Sequence, residues 1–257
     1  MDWSTSGRLR IGGHRGAAGI APENTMASFR IAAGHGCDYL ELDVQLTADD
    51  VPVVFHDDEL DRTTDGDGLV GARPAGAIRA LDAGAWFDRR FRGERVPLLA
   101  EVLAFVERQA ELGATIEAKG PGTGRVIAAA IGRSPAASRL SVCSFVAAEL
   151  IEAATIDPEL PRILILDRDE PTVDPIAAAR AANATGVNLP VDWCDAALVG
   201  RLRAAGLFVA GGTVDDDATL RRAVALGIDA CDSNRPDLVV PARDRLLRGR
   251  ERGGAPA

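Results

Sequence analysis

The sequence is nearly devoid of lysine. Of its 29 basic residues only Lys119 is not an arginine. A single ammonium in an arginine background marks a place where a compact point charge is wanted rather than a planar fork. Aromatic residues are scarce as well, with one tyrosine, three tryptophans and seven phenylalanines. That is too few for the stacking platforms that hold single-stranded nucleic acid. Positive charge is in deficit, and the formal net charge of −9 excludes nucleic-acid binding through a general basic surface. No apolar run reaches the roughly 20 residues of a membrane span. The opening MDWSTSGRLR lacks the apolar stretch of a secretion signal. Four cysteines (Cys37, Cys143, Cys194, Cys231) stand far apart without metal-type pairing, the pattern of buried free thiols in a reducing compartment. These absences predict a cytoplasmic protein with no stable membrane anchor and no nucleic-acid partner; oligomeric state leaves no signal.

What is present is a rhythm. Apolar residues make up 47% of the 257-residue chain, enough for one large barrel or two small domains. Short apolar runs predict strands at Leu9–Gly13, Tyr39–Val44, Val51–Phe55, Thr115–Ala118, Leu140–Ser144, Arg162–Leu166, Gly186–Leu189, Leu207–Gly211 and Ile228–Cys231. Helical patterns separate most of them, including Leu99–Leu112, Gly124–Arg133, Val146–Thr155 and Asp216–Leu226. Asn24 is a candidate N-cap for the first helix and Gly34 its stop. The second and third strands are joined too tightly for a crossover helix and form a hairpin. Nine extended pieces for eight places predict an α/β fold, a (β/α)8 TIM barrel with one hairpin variation. The rival, a doubly wound open sheet, requires a glycine-rich dinucleotide loop after the first strand, and Gly12-Gly13-His14-Arg15-Gly16 is not one. The whole chain, 1–257, reads as a single barrel domain. Residues 57–97 break the rhythm as an insertion at one rim, with a local apolar cluster around Trp86 and Phe87. Residues 243–257 form a basic tail, with five arginines between Arg243 and Arg252, read as a solvated helix end.

The chemistry gathers between Gly12 and Thr64. Alternate strand residues share a face, so Glu41 and Asp43 present two carboxylates to one side. Crowded carboxylates repel unless something positive lies between them, and hard oxygen donors favour Mg²⁺ or Ca²⁺. His14-Arg15 follows the first strand and His56-Asp57 the third. Glu117 and Lys119 share a face at the end of the fourth. In a barrel all of these strand ends meet on one rim, where active sites lie. His35, in a Gly-His-Gly loop at the other end, reads as solvated and uninvolved.

The ordered motifs His14-Arg15-Gly16, Pro22-Glu23-Asn24-Thr25, Glu41-Leu42-Asp43-Val44, Val53-Val54-Phe55-His56-Asp57, Leu60-Asp61-Arg62-Thr63-Thr64 and Glu117-Ala118-Lys119 resemble those of the glycerophosphodiester phosphodiesterases, within the phospholipase-C-like phosphodiesterase barrels. Thr213-Val214-Asp215 and Arg235-Pro236-Asp237 are weaker echoes. The resemblance runs through nearly the whole chain. It implies metal-dependent hydrolysis of a small glycerophosphodiester to an alcohol and glycerol 3-phosphate. It further implies that Glu41, Asp43 and Glu117 hold one divalent ion, Mg²⁺ or Ca²⁺, that His14 and His56 form the acid/base pair, and that Arg15 and Lys119 contact the phosphate. The alternatives are the same site acting on lysophospholipids or other phosphodiesters, and a barrel that binds phosphodiesters without turnover. The chain departs from the family twice. Gly211-Gly212 stands where a tryptophan is common, which predicts a roomier alcohol pocket unless Trp86, Phe87 or Trp193 fills the gap. Cys231-Asp232-Ser233-Asn234 replaces a more apolar run.

Overall fold

The computed structural model describes residues 8–167 and 173–252. The apolar runs form the strands β1 (Arg10–Gly13), β2 (Tyr39–Leu46), β3 (Pro52–Val54), β4 (Gly113–Ala118), β5 (Leu140–Ser144), β6 (Arg162–Ile165), β7 (Gly186–Leu189), β8 (Phe208–Gly211) and β9 (Ala230–Ser233). The sheet runs in the order β1-β9-β8-β7-β6-β5-β4-β2-β3, and a further β1–β2 pairing closes it. Eight parallel strands therefore make a barrel, and β3 hangs outside it, antiparallel to β2. The helices are α1 (Met26–Gly34), α2 (Ala75–Ile78), α3 (Leu99–Glu107), α4 (Thr123–Ile131), α5 (Ala147–Ile156), α6 (Pro175–Ala181), α7 (Ala196–Ala204), α8 (Asp217–Leu226) and α9 (Pro236–Arg252). This is the expected (β/α)8 TIM barrel.

The main core lies between strands and helices. It is built from residues such as Leu40, Leu42, Ile116, Val142, Val187 and Val209 on the outer strand faces. The alternate positions point inward and are more mixed: Tyr39, Cys143, Ile163, Phe208, Ala210 and Ala230 form their own cluster. A third cluster, Val53, Phe55, Leu60, Val70, Ala75, Ile78, Ala83 and Val96, joins β3 to the segment that follows it. In that segment Trp86 meets Phe87 edge-on at 5.6 Å, and Phe87 meets Phe91 at 5.9 Å.

Several local expectations are corrected. Asn24 does not cap α1; Thr25 does, its hydroxyl accepting from the Ser28 N–H. Asn24 sits at φ 55°, and its side chain is turned to Asp43 instead. α3 ends at Glu107 rather than running to Leu112, because Leu112 already leads into β4. The last strand is shifted toward the C-terminus, ending at Ser233 rather than Cys231, which brings Asp232 into the barrel wall. The basic tail is not simply solvated. Arg243 is 2% exposed because its guanidinium pairs with Asp38, just before β2, and with Asp244 at 2.8 Å. Residues 253–257 of that tail, and residues 1–7 of the opening, lie outside the described residues.

Candidate active site

Period-2 alternation and sheet register assemble the acidic centre. Asp43 on β2 lies directly beside Glu117 on β4, and Glu41 beside Thr115. One carboxylate oxygen from each of Glu41, Asp43 and Glu117 lies within 4.8 Å of the other two. All three are buried. Their crowding has an electrostatic signature. Burial, then repulsion from Asp43 and further carboxylates, drives the Glu41 carboxyl well above its ordinary range. Burial and the Asp43 charge push Glu117 up to about 7. A hard dication on these oxygens would relieve both, so the donor set fits such an ion.

Two cations lean on the cluster. Lys119 Nζ is 3.1 Å from Glu117 and 3.8 Å from Asp43. Burial works to lower the Lys119 pKa, but Glu117 and Asp43 outweigh it. Arg15 occupies the left-handed region at φ 49°, so its backbone N–H donates to Glu41 Oε2 at 2.9 Å while its side chain turns to Glu23 and Asp43. Asn24 Nδ2 donates to Asp43 Oδ2 at 2.7 Å, which fixes that carboxylate.

The two histidines are held differently. His14 Nδ1 is 2.8 Å from Asn234 Oδ1. The Asn234 amide cannot be reversed, because its Nδ2 donates to the acceptor-only carboxylate of Asp215 at 2.8 Å. His14 Nδ1 therefore carries the proton, and its Nε2, 3.9 Å from Glu41, is the free nitrogen. His56 Nδ1 donates to Asp57 Oδ1 at 2.5 Å, which again frees Nε2. Asp57 is held in turn by Arg62, whose Nη1 and Nη2 also reach Glu23 at 2.9 and 2.7 Å. Those Arg62 hydrogen bonds lower the Asp57 carboxyl to about 2. Gln45 clamps the same loop, its Nε2 donating to the carbonyls of Phe55, His56 and Asp57.

His14, Arg15, Glu41, His56 and Glu117 line one cavity of about 360 Å³. Asp43 and Lys119 join them through Glu117. The sequence-predicted residues are thus brought together, while His35 is exposed at the opposite end of β2. Glu23, Asp57 and Arg62 lay inside the motifs that carry the resemblance without an assigned part, and Asn24 was read as a helix cap. Asp215 lay in the weaker Thr213-Val214-Asp215 echo and Asn234 in the run that departs from the family, neither with an assigned part. Of the two glycines, only Gly212 lines the cavity. A Cβ on Gly211 would stand 2.9 Å from Val191, toward the helical layer. Among the described residues neither Trp86, Phe87 nor Trp193 lines the cavity; Phe145 does, at its mouth.

A closed parallel barrel with buried carboxylates, two oriented histidines and two cations at one rim defines a phosphodiesterase of the barrel class. Residues 14–238 match the Glycerophosphoryl diester phosphodiesterase family, and the chain belongs to it, an enzyme family that hydrolyses glycerophosphodiesters. It is 30% identical over 251 residues to the glycerophosphodiester phosphodiesterase of Bacillus subtilis, covering 90% of this chain and 85% of that one. Among solved structures it is similar to the glycerophosphodiester phosphodiesterase of Agrobacterium tumefaciens, with 33% identity, a TM-score of 0.81, and coverage of 91% and 99% of the two chains. It is also similar to a phosphodiesterase of Oleispira antarctica in complex with the product sn-glycerol-3-phosphate, with 31% identity, a TM-score of 0.84, and coverage of 92% and 97%.

Proposed function

We propose that this enzyme hydrolyses small glycerophosphodiesters to an alcohol and glycerol 3-phosphate with the aid of one divalent ion, Mg²⁺ or Ca²⁺. The observation that carries this is the buried Glu41–Asp43–Glu117 cluster sharing one cavity with His14 and His56. Those three carboxylates would hold the ion, and when bound it would supply Lewis-acid stabilisation of charge on the phosphoryl oxygens. Arg15 and Lys119 bind and orient the phosphate, adding fixed positive charge where negative charge grows. His14 and His56 move the protons at Nε2: one accepts from the attacking hydroxyl and the other donates to the departing alkoxide. Asn234 and Asp57 keep both rings in the required tautomer. The phosphodiester partner is small, in keeping with the cavity, and no nucleic acid is needed. We place the enzyme in the cytoplasm, supported by four buried free cysteines; among the described residues no helix is long and apolar enough to cross a membrane.

Two measurements test this. Glycerol 3-phosphate release from a panel of diesters should cease in excess chelator and return with Mg²⁺ or Ca²⁺; full turnover in chelator rules out the ion site. His14→Ala and His56→Ala should each fold normally and lose roughly 10²- to 10⁴-fold in turnover. A variant with near-normal turnover removes that histidine from the mechanism.

A further inference from the structure

Below the rim, on the β7–β9 side, the cavity wall holds a second polar group that the reaction does not use. Asp232 is 5% exposed and lines the cavity. Its Oδ1 accepts from the Tyr39 hydroxyl at 2.7 Å, and its Oδ2 from Asn188 Nδ2 at 3.1 Å. The Asn188 amide is thereby oriented with Oδ1 directed elsewhere. Space for the Tyr39–Asp232 pair comes from Gly12, where a Cβ would stand 2.3 Å from the Tyr39 ring and 2.8 Å from Asp232 Oδ1. Across from it Gly212 leaves a void. A Cβ at 212 would meet nothing nearer than Asp232 Oδ2 at 3.6 Å, with Asn188 Oδ1 at 3.8 Å. Two acceptor oxygens, one of them on a carboxylate, thus face one unfilled space inside the substrate cavity. Such a space selects a group that donates hydrogen bonds.

We propose that Asp232 and Asn188, with the gap left by Gly212, form a subsite for a hydroxyl-bearing leaving alcohol, a polyol rather than an alkyl or aromatic alcohol. The proposal rests on the phosphodiesterase reading and adds its selectivity. The location fits the arm directed away from Glu41, Asp43 and Glu117, and a preference that follows the leaving alcohol distinguishes it from the retained glycerol. The oxygen cluster and Lys119 lie on β2 and β4, so phosphorus is held over that side. An arm passing His14 on β1 runs next over β9, β8 and β7, where Asp232, Gly212 and Asn188 stand. The second hydroxyl of such an arm donates to Asp232 Oδ2 and a third to Asn188 Oδ1. An arm without hydroxyls offers neither oxygen a donor from the void, and Asp232 Oδ2 keeps only its bond from Asn188 Nδ2.

The test uses a matched pair of diesters, glycerophosphoglycerol and glycerophosphopropanol, which differ only in hydroxyls on one arm. Wild-type kcat/KM should favour the polyol diester roughly tenfold or more, the usual scale for hydrogen bonds to a charged acceptor. Asp232→Asn turns an acceptor into a donor at constant shape, and Gly212→Ala puts a methyl group into the void at ordinary contact distance. Each should shrink the preference roughly tenfold, chiefly through KM. If one variant fails to fold, as judged by its melting temperature, the other carries the test. An unchanged preference in a folded variant, or equal loss on both diesters, overturns the subsite while leaving the activity standing. A wild type that turns over neither diester overturns the activity itself, and the subsite with it.

Discussion

Arg62 makes more of the catalytic geometry than its exposed position suggests. It grips Asp57 and Glu23 together, and through Glu23 it is tied to Arg15. One guanidinium fork thus sets both the carboxylate behind His56 and Arg15, the cation proposed for the phosphate. Arg62→Ala should lower kcat by roughly a hundredfold, the scale of misplacing a reacting group by about 1 Å, with the fold intact by circular dichroism. A loss in KM alone would argue that Arg62 serves binding and not His56. The acidic centre makes a second prediction. In the metal-free protein Glu117 titrates near 7, against an ordinary 4.5, and Glu41 is displaced the same way. Between those values the folded state holds protons that the unfolded chain has released, so stability falls as pH rises. The contribution is whole below about 4.5 and gone above about 7. Asp57, displaced downward, contributes in full above its ordinary value of 3.8 and loses that contribution only in acid, as pH falls toward 2. The melting temperature in chelator should therefore drop from pH 5 to pH 8, and Mg²⁺ or Ca²⁺ should flatten the slope. A flat or rising curve in chelator would refute the crowding of the three carboxylates.

At the scale of elements, the barrel was legible because parallel strands buried on both faces read as short apolar runs between helical patterns. The hairpin was legible too, from a connection of a few polar residues closed at Asp50, φ 57°. Five of the seven site residues sit near or just past strand ends, while Glu41 and Asp43 lie inside the long β2; period-2 alternation paired Glu41 with Asp43 and Glu117 with Lys119, and Lys119 also stood out by its rarity. What escaped were choices settled by distant partners. Asn24 has cap chemistry, but Asp43 claims its side chain. Arg243 belongs by composition to a basic tail, but Asp38, far back along the chain, buries it. The start of α4 gives the sharpest case. Glu149 on α5 reaches across to accept from the Gly122 and Gly124 N–H groups at 3.2 and 2.8 Å. Helix α5 comes so close that a Cβ on Gly124 would stand 2.1 Å from the Glu149 carbonyl oxygen. Gly124→Ala should cost about 1–3 kcal/mol in denaturant unfolding, since backbone and not a flexible side chain must move. An unchanged midpoint would show that the two helices slide apart freely.

For the molecule as a whole, the Arg243–Asp38 pair joins the last helix to the entrance of β2, and Asp38 also accepts from the Ile11 N–H at 2.8 Å. The pair therefore ties the two chain ends across the closing strands of the barrel. Arg243→Ala leaves Asp38 with Arg8 at 3.3 Å and the Ile11 N–H, so the loss of one charge-assisted pair should cost about 1.5–3 kcal/mol; a shift in melting temperature too small to resolve would deny it that part. The placement of β3 outside the barrel has a different consequence. His56 follows an outlying strand whose Val53, with the adjoining Phe55, shares a small cluster with residues 60–96 while Val54 packs into the main core, whereas His14 and the carboxylates belong to the barrel itself. Two packing clusters of unequal size then carry one reaction. Sub-global opening of the smaller cluster would disconnect His56 while every barrel strand stays paired. On warming, catalysis would fade before the barrel unfolds. Backbone amides of β3 would exchange with deuterium earlier than those of β4 or β5, and the enzyme would regain full activity on cooling without ever having refolded.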